Sequence, residues 1–178
     1  MPKRSSRLSA SDWLSAGLDA VAEAGPGALK AEPLAVRLNV SKGSFYWHFS
    51  DVPEYHAKLL ETWEAETNAR LAALIAEDAQ PVAQLRSLAQ ALTAPQASEP
   101  AIRSWALNHV PARDAVERVD QARLETLHAL LRAEGIRNME MARILYAAII
   151  GMTQLGQAAP EDRQAAIGSM VDLVLALR

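Results

Sequence analysis

The sequence has 178 residues and a formal net charge of −3, and half of its residues are hydrophobic. This length fits one large domain or two small ones with a substantial buried core. The chain contains no cysteine, which excludes a disulfide scaffold, a thiolate metal site and a cysteine nucleophile. No stretch reaches the ~18 apolar residues of a membrane span and no apolar signal region follows the N-terminus, so we expect a cytoplasmic protein.

Charge is unevenly distributed along the chain. Residues 1–50 carry six basic and four acidic side chains, whereas the remaining 128 residues carry 12 and 17. A basic segment is expected where a protein contacts a polyanion. The asymmetry is small, and it supports such a contact only together with a motif.

Two helices are predicted in the first part of the chain. The first begins near Ser9, which with Asp12 has the spacing of a capping box. Apolar residues then recur at helical spacing until the Gly-Pro-Gly segment at residues 25–27 ends the helix. The second begins near Ala31 and tolerates Pro33 in its first turn, where a backbone donor is spare.

The segment LAVRLNVSKGSFYWHF, residues 34–49, has the pattern of a helix, a tight turn and a second helix. Asn39 stands where the turn requires a left-handed residue, a conformation that Asn tolerates better than most residues. Ser41 is expected to cap the second helix, which runs from Lys42 to Phe49. The pattern predicts a DNA-binding helix-turn-helix.

The rest of the chain is also predicted to be helical. A long fourth helix starts at Asp51 and ends before Pro81. Prolines then divide predicted helices at about 82–93, 100–109, 112–134, 138–156 and 161–177. We therefore predict an all-α protein of about nine helices, with a helix-turn-helix DNA-binding domain at residues 1–52 and a helical dimerisation and effector-binding domain at residues 53–178.

Residues 13–51, WLSAGLDAVAEAGPGALKAEPLAVRLNVSKGSFYWHFSD, resemble the TetR family of bacterial one-component regulators. They show a first helix, a glycine stop, an LA-x-x-L turn and a GSFYWHF recognition segment. The body from about Arg103 resembles one subset of the family with lower specificity. The resemblance implies a homodimer whose N-terminal heads read two half-sites of a near-palindromic DNA operator. It also implies that the C-terminal bodies dimerise and often enclose a small-molecule effector.

Two positions depart from the pattern of the family. The family usually has Lys or Arg where this chain has Val52, so one expected phosphate contact is in question. It often has Thr where this chain has Lys30. A cation at this helix start opposes the helix dipole, yet Lys30 can itself reach a phosphate.

The leading turn of the predicted recognition helix contains Lys42, Gly43 and Ser44. This turn faces base edges in helix-turn-helix complexes. Lys42 can donate to guanine O6 and N7, Ser44 can pair with several bases, and Gly43 lets the backbone come close. The alternative for Lys42 and Ser44 is an ordinary solvated helix start.

The aromatic residues that follow have different expected roles. By resemblance, Tyr46 and His48 contact phosphates, while Phe45 and Phe49 pack the head. Trp47 either contacts phosphate or sugar from the surface or fills the core, and the sequence leaves both open.

Two further groups of basic residues lie in the head. Arg4 forms a short basic arm with Lys3 and Arg7, which follows the DNA backbone or minor groove, with an arm of no function as the alternative. Arg37 is interpreted as a surface charge.

Two helices of the body, near residues 138–156 and 161–177, carry apolar faces that suit a bundle across a two-fold axis. The predicted interface consists of Ile144, Ala148, Gly151, Leu155, Ile167, Val171 and Val174. The spacing fits intramolecular core equally well, and the resemblance favours the dimer.

Aromatic and polar residues of the body are candidates for an effector pocket. The predicted lining is Trp63, Trp105, His109 and Tyr146, with Asn108, His128 and Gln154 as further candidates. For each of them, core packing or surface exposure is the alternative. The sequence has no close pair of histidines at metal-ligand spacing, and we expect neither a metal nor a cofactor.

The leading hypothesis is a homodimeric DNA-binding repressor that a small-molecule effector releases. The alternative is a helical ligand- or partner-binding protein with weakened DNA readout, which Val52, Lys30 and the acidic total charge motivate. An enzyme is not expected, because the sequence has no Gly-rich nucleotide loop, nucleophile elbow or paired-His helix motif.

Overall fold

The computed structural model describes residues 8–75, 80–155 and 159–176 of the chain. Over these residues the protein is all-α, with one 3-10 helix at Pro26–Ala28 and no strand, which confirms the predicted fold class. None of the described helices combines the length and the apolar character that a membrane crossing requires. The helices are α1 (Ala10–Ala24), α2 (Ala31–Arg37), α3 (Lys42–Phe45), α4 (Val52–Ile75), α5 (Pro81–Leu92), α6 (Glu99–Ala106), α7 (Val110–Ala133), α8 (Met139–Gln154) and α9 (Pro160–Leu175).

Helix α1 begins and ends as the sequence predicts. The Ser9 hydroxyl accepts a hydrogen bond from the Asp12 amide at 3.3 Å, and the Asp12 carboxylate accepts one from the Ser9 amide at 2.7 Å. This capping box satisfies amides that the first turn leaves without helical partners. The hydrogen bonds from Ser9 hold the pKa of the Asp12 carboxyl below its usual range. Gly25 ends the helix with a φ of 74°, which costs glycine little.

The described residues form two compact units. The first unit lies within Met1–Ala65 and Ala97–Val116, and the second lies within Glu66–Gln96 and Glu117–Arg178. The long helices α4 and α7 contribute residues to both units. The division predicted at residues 52 and 53 concerns which part of the chain binds DNA and which part dimerises, and it stays a prediction.

Aromatic side chains occupy the centre of the first unit. The Phe45 ring centroid lies 5.4 Å from that of Trp13, 5.1 Å from that of Phe49 and 5.2 Å from that of Tyr55. All four side chains are buried, which confirms the packing role predicted for Phe45 and Phe49. The Tyr55 hydroxyl donates to the Trp13 carbonyl oxygen at 2.9 Å. Burial raises the pKa of Tyr55, so its hydroxyl remains a donor.

The core of the second unit is formed mainly by side chains of α5, α7, α8 and α9, together with Leu71 of α4. Ile167, Val171 and Val174 of α9 belong to this core and are at most 1 % exposed. The prediction that these three residues form a dimer interface is therefore wrong, because their side chains are already packed within the chain. Helical spacing marks a residue as apolar-facing, but it does not say which surface covers it.

The predicted α8 face has a different environment. Ile144 and Leu155 are 48 % and 55 % exposed, Gly151 is exposed, and Ala148 is half-buried. On α9, Leu173 is 63 % exposed. These side chains leave an apolar surface on the second unit, and its pairing with a second chain stays a prediction.

Candidate nucleic-acid interface

Helices α2 and α3 are joined by a tight turn at Asn39. The Asn39 backbone has a φ of 52°, the left-handed conformation that the sequence predicts. The amides of Asn39 and Val40 donate to the carbonyl oxygens of Val36 and Ala35 at 3.1 and 3.0 Å. The turn is therefore tied to α2, which fixes the direction in which α3 begins.

Helix α3 is shorter than predicted. It covers Lys42–Phe45, and residues 46–48 form turns instead of continuing the helix. The Phe45 carbonyl oxygen accepts bonds from the amides of both His48 and Phe49, at 3.0 and 3.1 Å. These two hydrogen bonds close the turns that follow α3. Ser41 occupies the N-cap position with extended backbone, although within the described residues its hydroxyl makes no capping bond.

The side chains predicted to read bases lie at the surface of the first unit. Lys42 and Gly43 are exposed and Ser44 is half-buried, while the neighbouring Phe45 is fully buried. The buried ring anchors the leading turn, so that Lys42 and Gly43 project from a fixed base. Arg4 of the predicted basic arm lies outside the described residues.

The aromatic residues after α3 are also accessible. Tyr46 is 50 % exposed and Trp47 is 77 % exposed, whereas His48 is half-buried. The exposure of Trp47 excludes the alternative in which its indole fills the core. The structure therefore places both rings where they can contact a partner.

Four residues that the sequence analysis linked to DNA binding line one shallow groove, which we call the α3 groove. It has a volume of about 770 Å³, and its lining includes Lys30, Lys42, Tyr46 and Val52. Val36 also lines it and is 76 % exposed. The fold thus brings together the start of α2, the helix α3 and the start of α4, as a helix-turn-helix surface requires.

The lining of the α3 groove carries both basic and acidic side chains. Glu32, in the first turn of α2, lines it together with Lys30. Lys30 occupies the N-cap position of α2, where a side-chain acceptor normally satisfies a backbone amide. An ammonium group has no acceptor, so Lys30 cannot cap the helix, and its charge is directed to solvent or a ligand.

Polar caps fix the start of α4, which carries Val52 into the groove lining. Asp51 Oδ1 accepts a hydrogen bond from the Glu54 amide at 2.7 Å. Glu54 Oε2 accepts bonds from the amide and the hydroxyl of Ser50, each at 2.7 Å. These bonds from Ser50 hold the pKa of Glu54 below its usual range.

Arg37 makes a bidentate ion pair with Glu23 that joins α2 to α1. Its Nη1 and Nη2 donate to the two carboxylate oxygens at 2.6 and 2.7 Å, and these bonds lower the pKa of Glu23. The pair is solvent-accessible, so it contributes little to stability. The interpretation of Arg37 as a surface charge is confirmed. No sequence pattern links it to a partner 14 residues away.

The residues predicted to line an effector pocket belong to both units. Trp63, Trp105 and His109 lie in the first unit, and Tyr146 lies in the second. Trp63 is fully buried, while the rings of Trp105 and His109 stack with their centroids 4.2 Å apart. Effector contact by these four residues stays a prediction.

His56 of α4 completes an aromatic cluster that the sequence did not reveal. Its ring meets that of Trp105 edge-on with centroids 4.9 Å apart, and its Nε2 lies 2.9 Å from the Leu29 carbonyl oxygen. In the same cluster, His109 Nδ1 accepts a bond from the Ala112 amide at 3.2 Å and so caps α7. Desolvation, followed by the nearby charge of His56, lowers the pKa of His109.

The second unit contains a cavity of about 360 Å³, which we call the arginine cavity. Residues of α4, α5 and α7 and of the segment after α5 line it: Thr67, Arg70, Leu71, Ala73, Leu74, Ala91, Leu92, Ala94, Pro95, Gln96 and Arg123. The four predicted pocket residues are not among these described lining residues. Of these four, Tyr146 contacts a lining residue, because Arg123 Nη1 donates to its hydroxyl at 3.3 Å.

The helix-turn-helix region matches a known sequence family. The model of the family described as bacterial regulatory proteins, tetR family, matches residues 14–51, which contain most of α1, all of α2 and α3 and the Asn39 turn. This segment of the chain is therefore similar to the helix-turn-helix segment of the TetR family. All residues named above as lining the α3 groove, except Val52, lie within this matched segment.

Solved structures share the fold of this chain over nearly its whole length. A transcriptional regulator from Rhodococcus sp. Rha1 has a TM-score of 0.79 and 20 % identity, with 95 % of this chain and 97 % of that chain covered. A TetR-family transcriptional regulator from Streptomyces coelicolor has a TM-score of 0.79 and 19 % identity, with 93 % and 87 % covered.

A third neighbour was solved with a small molecule. This transcriptional regulator from Saccharomonospora viridis, in complex with choline, has a TM-score of 0.74 and 16 % identity, with 92 % of this chain and 95 % of that chain covered. No curated protein sequence matches this chain significantly.

Proposed function

We propose that this chain is a TetR-family regulator, a homodimeric, sequence-specific repressor that a small-molecule effector releases from its DNA operator in the cytoplasm. The observation that carries the proposal is the α3 groove, where Lys30, Lys42 and Tyr46 surround one exposed surface. Cations and hydroxyl donors at such a surface suit phosphate oxygens and base edges. The buried side chain of Phe45, the last residue of α3, holds that surface in place.

We assign base reading to the leading turn of α3. Lys42 donates to guanine O6 and N7, Ser44 pairs with an adjacent base, and Gly43 permits close approach of the backbone. Every one of these residues lies within the first turn of a four-residue helix, so their reach is limited to a few base pairs. Specific recognition of an operator therefore needs two copies of the motif.

Contacts to the DNA backbone come from residues beside that turn. Tyr46 and Trp47 are exposed and carry hydroxyl and indole donors, and His48 lies next to them. Lys30 adds a cation in the lining of the α3 groove, and Arg4 adds one from the basic arm. These contacts position the head without reading sequence.

We propose that the dimer forms through the exposed apolar surface of the second unit. Ile144, Ala148 and Gly151 follow one another along α8 at helical spacing, Leu155 follows at the end of the helix, and Leu173 of α9 is also exposed. The small residues in the middle permit close helix approach, and the larger ones at the ends bury apolar area. A two-fold axis through this surface presents two heads to a near-palindromic operator.

Effector release requires that a ligand bind the DNA-free state more tightly than the DNA-bound state. A neighbour of the same fold was solved in complex with choline, which supports a small-molecule site in this architecture. We assign the effector site to the arginine cavity, a partly open pocket of about 360 Å³ that falls in the size range of small-molecule sites.

Selection of bound duplexes from a random pool at physiological salt tests the proposal. We expect the purified protein to enrich one two-fold-symmetric sequence, and we expect the Lys42→Ala variant to lose the enrichment at one position in each half-site. An enriched sequence without symmetry would contradict the dimer.

The lining of the α3 groove also favours a second candidate function. Glu32 contributes an acid, and Val52 stands where the family usually has a cation, so the surface attracts phosphate less strongly. A helical ligand- or partner-binding protein with weakened DNA readout fits these two positions. Binding that disappears at physiological salt for every duplex in the pool would favour it.

A further inference from the structure

The charged side chains in the described lining of the arginine cavity are all basic. Its two charged residues are both cations, Arg70 and Arg123, and its walls are otherwise formed mainly by Leu71, Leu74 and Leu92 with alanines and a proline. Arg123 is only 6 % exposed, whereas Arg70 is exposed. The site therefore offers one guanidinium in the interior and one nearer to solvent, beside an aliphatic wall.

Hydrogen bonds hold the polar groups of the cavity in place. Arg123 Nη1 donates to the Tyr146 hydroxyl at 3.3 Å, and that hydroxyl donates to Asp120 at 2.6 Å. Across the lining, the Thr67 hydroxyl donates to Gln96 Oε1 at 3.2 Å. Because this bond uses the amide oxygen of Gln96, its amide nitrogen is the atom that can donate a hydrogen bond to a ligand.

The charge balance of this site favours an anion. The described lining contains two guanidinium groups and no carboxylate. A guanidinium in a water-poor site binds a carboxylate through short, charge-assisted hydrogen bonds, often in a bidentate arrangement.

We propose that the arginine cavity binds a small organic acid, whose carboxylate pairs with Arg123 and whose aliphatic body packs against Leu71, Leu74 and Leu92. This inference rests on the proposed effector response and names the ligand class of that response. A volume of about 360 Å³ is near the lower end for small-molecule sites, which limits the acid to a short aliphatic body. A quaternary ammonium ligand, such as the choline of the neighbour from Saccharomonospora viridis, would face two like charges here.

Calorimetric titration of the full chain with three probes of equal shape tests the ligand class. The probes are hexanoate, hexanamide and hexylammonium. We expect hexanoate to bind about tenfold or more tightly than hexanamide, because its carboxylate gains charge-assisted bonds, and we expect hexylammonium to give no binding. Equal affinities for the three probes, a preference for the cation, or no binding of any probe would overturn the proposal.

Substitutions then locate the site. Arg123→Met keeps much of the side-chain volume and should bring the affinities for hexanoate and hexanamide to within about twofold of each other. Because Arg123 is buried, its replacement also tests folding, so the exposed Arg70 provides a second test: Arg70→Gln should weaken hexanoate binding several-fold. The matched control is Arg132→Gln, an exposed arginine of α7 outside the described lining, which should leave hexanoate binding unchanged. Equal effects of Arg70→Gln and Arg132→Gln would overturn the assignment.

DNA binding measured with and without hexanoate separates this inference from the proposed function. Hexanoate that binds with the expected selectivity but leaves operator affinity unchanged supports the ligand class and contradicts effector release. A cationic or neutral probe that releases DNA while hexanoate does not bind supports effector release and overturns the ligand class.

Discussion

Replacing Gly17 with alanine should destabilise the DNA-binding head, although the same change stabilises most helices. Gly17 lies in the interior of α1, where alanine is normally better than glycine by about 1 kcal/mol. A Cβ atom at this position would stand 1.9 Å from the Tyr55 hydroxyl oxygen and 2.5 Å from a methyl carbon of Leu59. Both distances are far below van der Waals contact, so the α4 side chains must move.

The loss of stability can be worked out from the two side chains that must move, Tyr55 and Leu59. Displacing Tyr55 breaks the buried bond from its hydroxyl to the Trp13 carbonyl oxygen, which costs about 1–3 kcal/mol. Forcing extra volume against Leu59 in a packed core costs about 1–3 kcal/mol more. After the gain in helix propensity is subtracted, we expect a net loss of about 1–5 kcal/mol in the free energy of unfolding.

Urea unfolding followed by circular dichroism measures this loss. The matched control is Gly168→Ala in α9, where the added methyl group meets no described atom within 4 Å beyond its chain neighbours and the nearby backbone of its own helix, and we expect that variant to be stabilised by up to about 1 kcal/mol. In a Tyr55→Phe background the hydroxyl is absent, so Gly17→Ala should cost less than in the wild type. Stabilisation by Gly17→Ala, or an equal cost in both backgrounds, would refute the reasoning.

Three further predictions concern the interfaces and the aromatic cluster. Lys42→Ala should relax specificity at one base position, whereas Tyr46→Phe should weaken binding to all duplexes alike, and competition binding against base-substituted and random duplexes would show equal patterns if this division of roles were wrong. Ile144→Glu should convert the proposed dimer to a monomer in sedimentation experiments, because it places a charge in the proposed apolar interface, while the control Leu107→Glu, at an exposed apolar residue of the first unit, should not. The lowered pKa of His109 means that the unfolded chain binds a proton more readily, so stability should fall as the pH drops below the ordinary value of 6.5. His109→Asn keeps a capping side chain but does not titrate, so its urea midpoint should change less between pH 7.5 and pH 5.5, and equal changes in both proteins would contradict the assignment.

Local features of the chain could be predicted because their physical causes are local in sequence. The capping box at Ser9 and Asp12 is a spacing of three residues, and the left-handed Asn39 follows from the turn that two adjacent amphipathic runs require. Phe45 and Phe49 could be assigned to the core because the helix-turn-helix pattern fixes which side of the segment is buried.

Features that depend on tertiary packing could not be predicted in the same way. Val171 of α9 has the spacing of an interface residue, but which surface covers it is decided by helices far away in sequence. Arg123 and Arg70 line one cavity because α4 and α7 meet there, and no motif joins two arginines so far apart. His56 likewise meets Trp105 only through the fold.

The most direct test of a dimeric operator reader compares two duplexes in anisotropy titrations at physiological salt. One duplex carries the symmetric sequence selected from the random pool, and the other has one half-site scrambled. We predict a loss of at least tenfold in affinity for the second duplex, because each mismatched base pair costs about 1–3 kcal/mol and the second head loses its specific contacts. Equal affinity for the two duplexes would contradict the proposal that two copies of α3 read one operator.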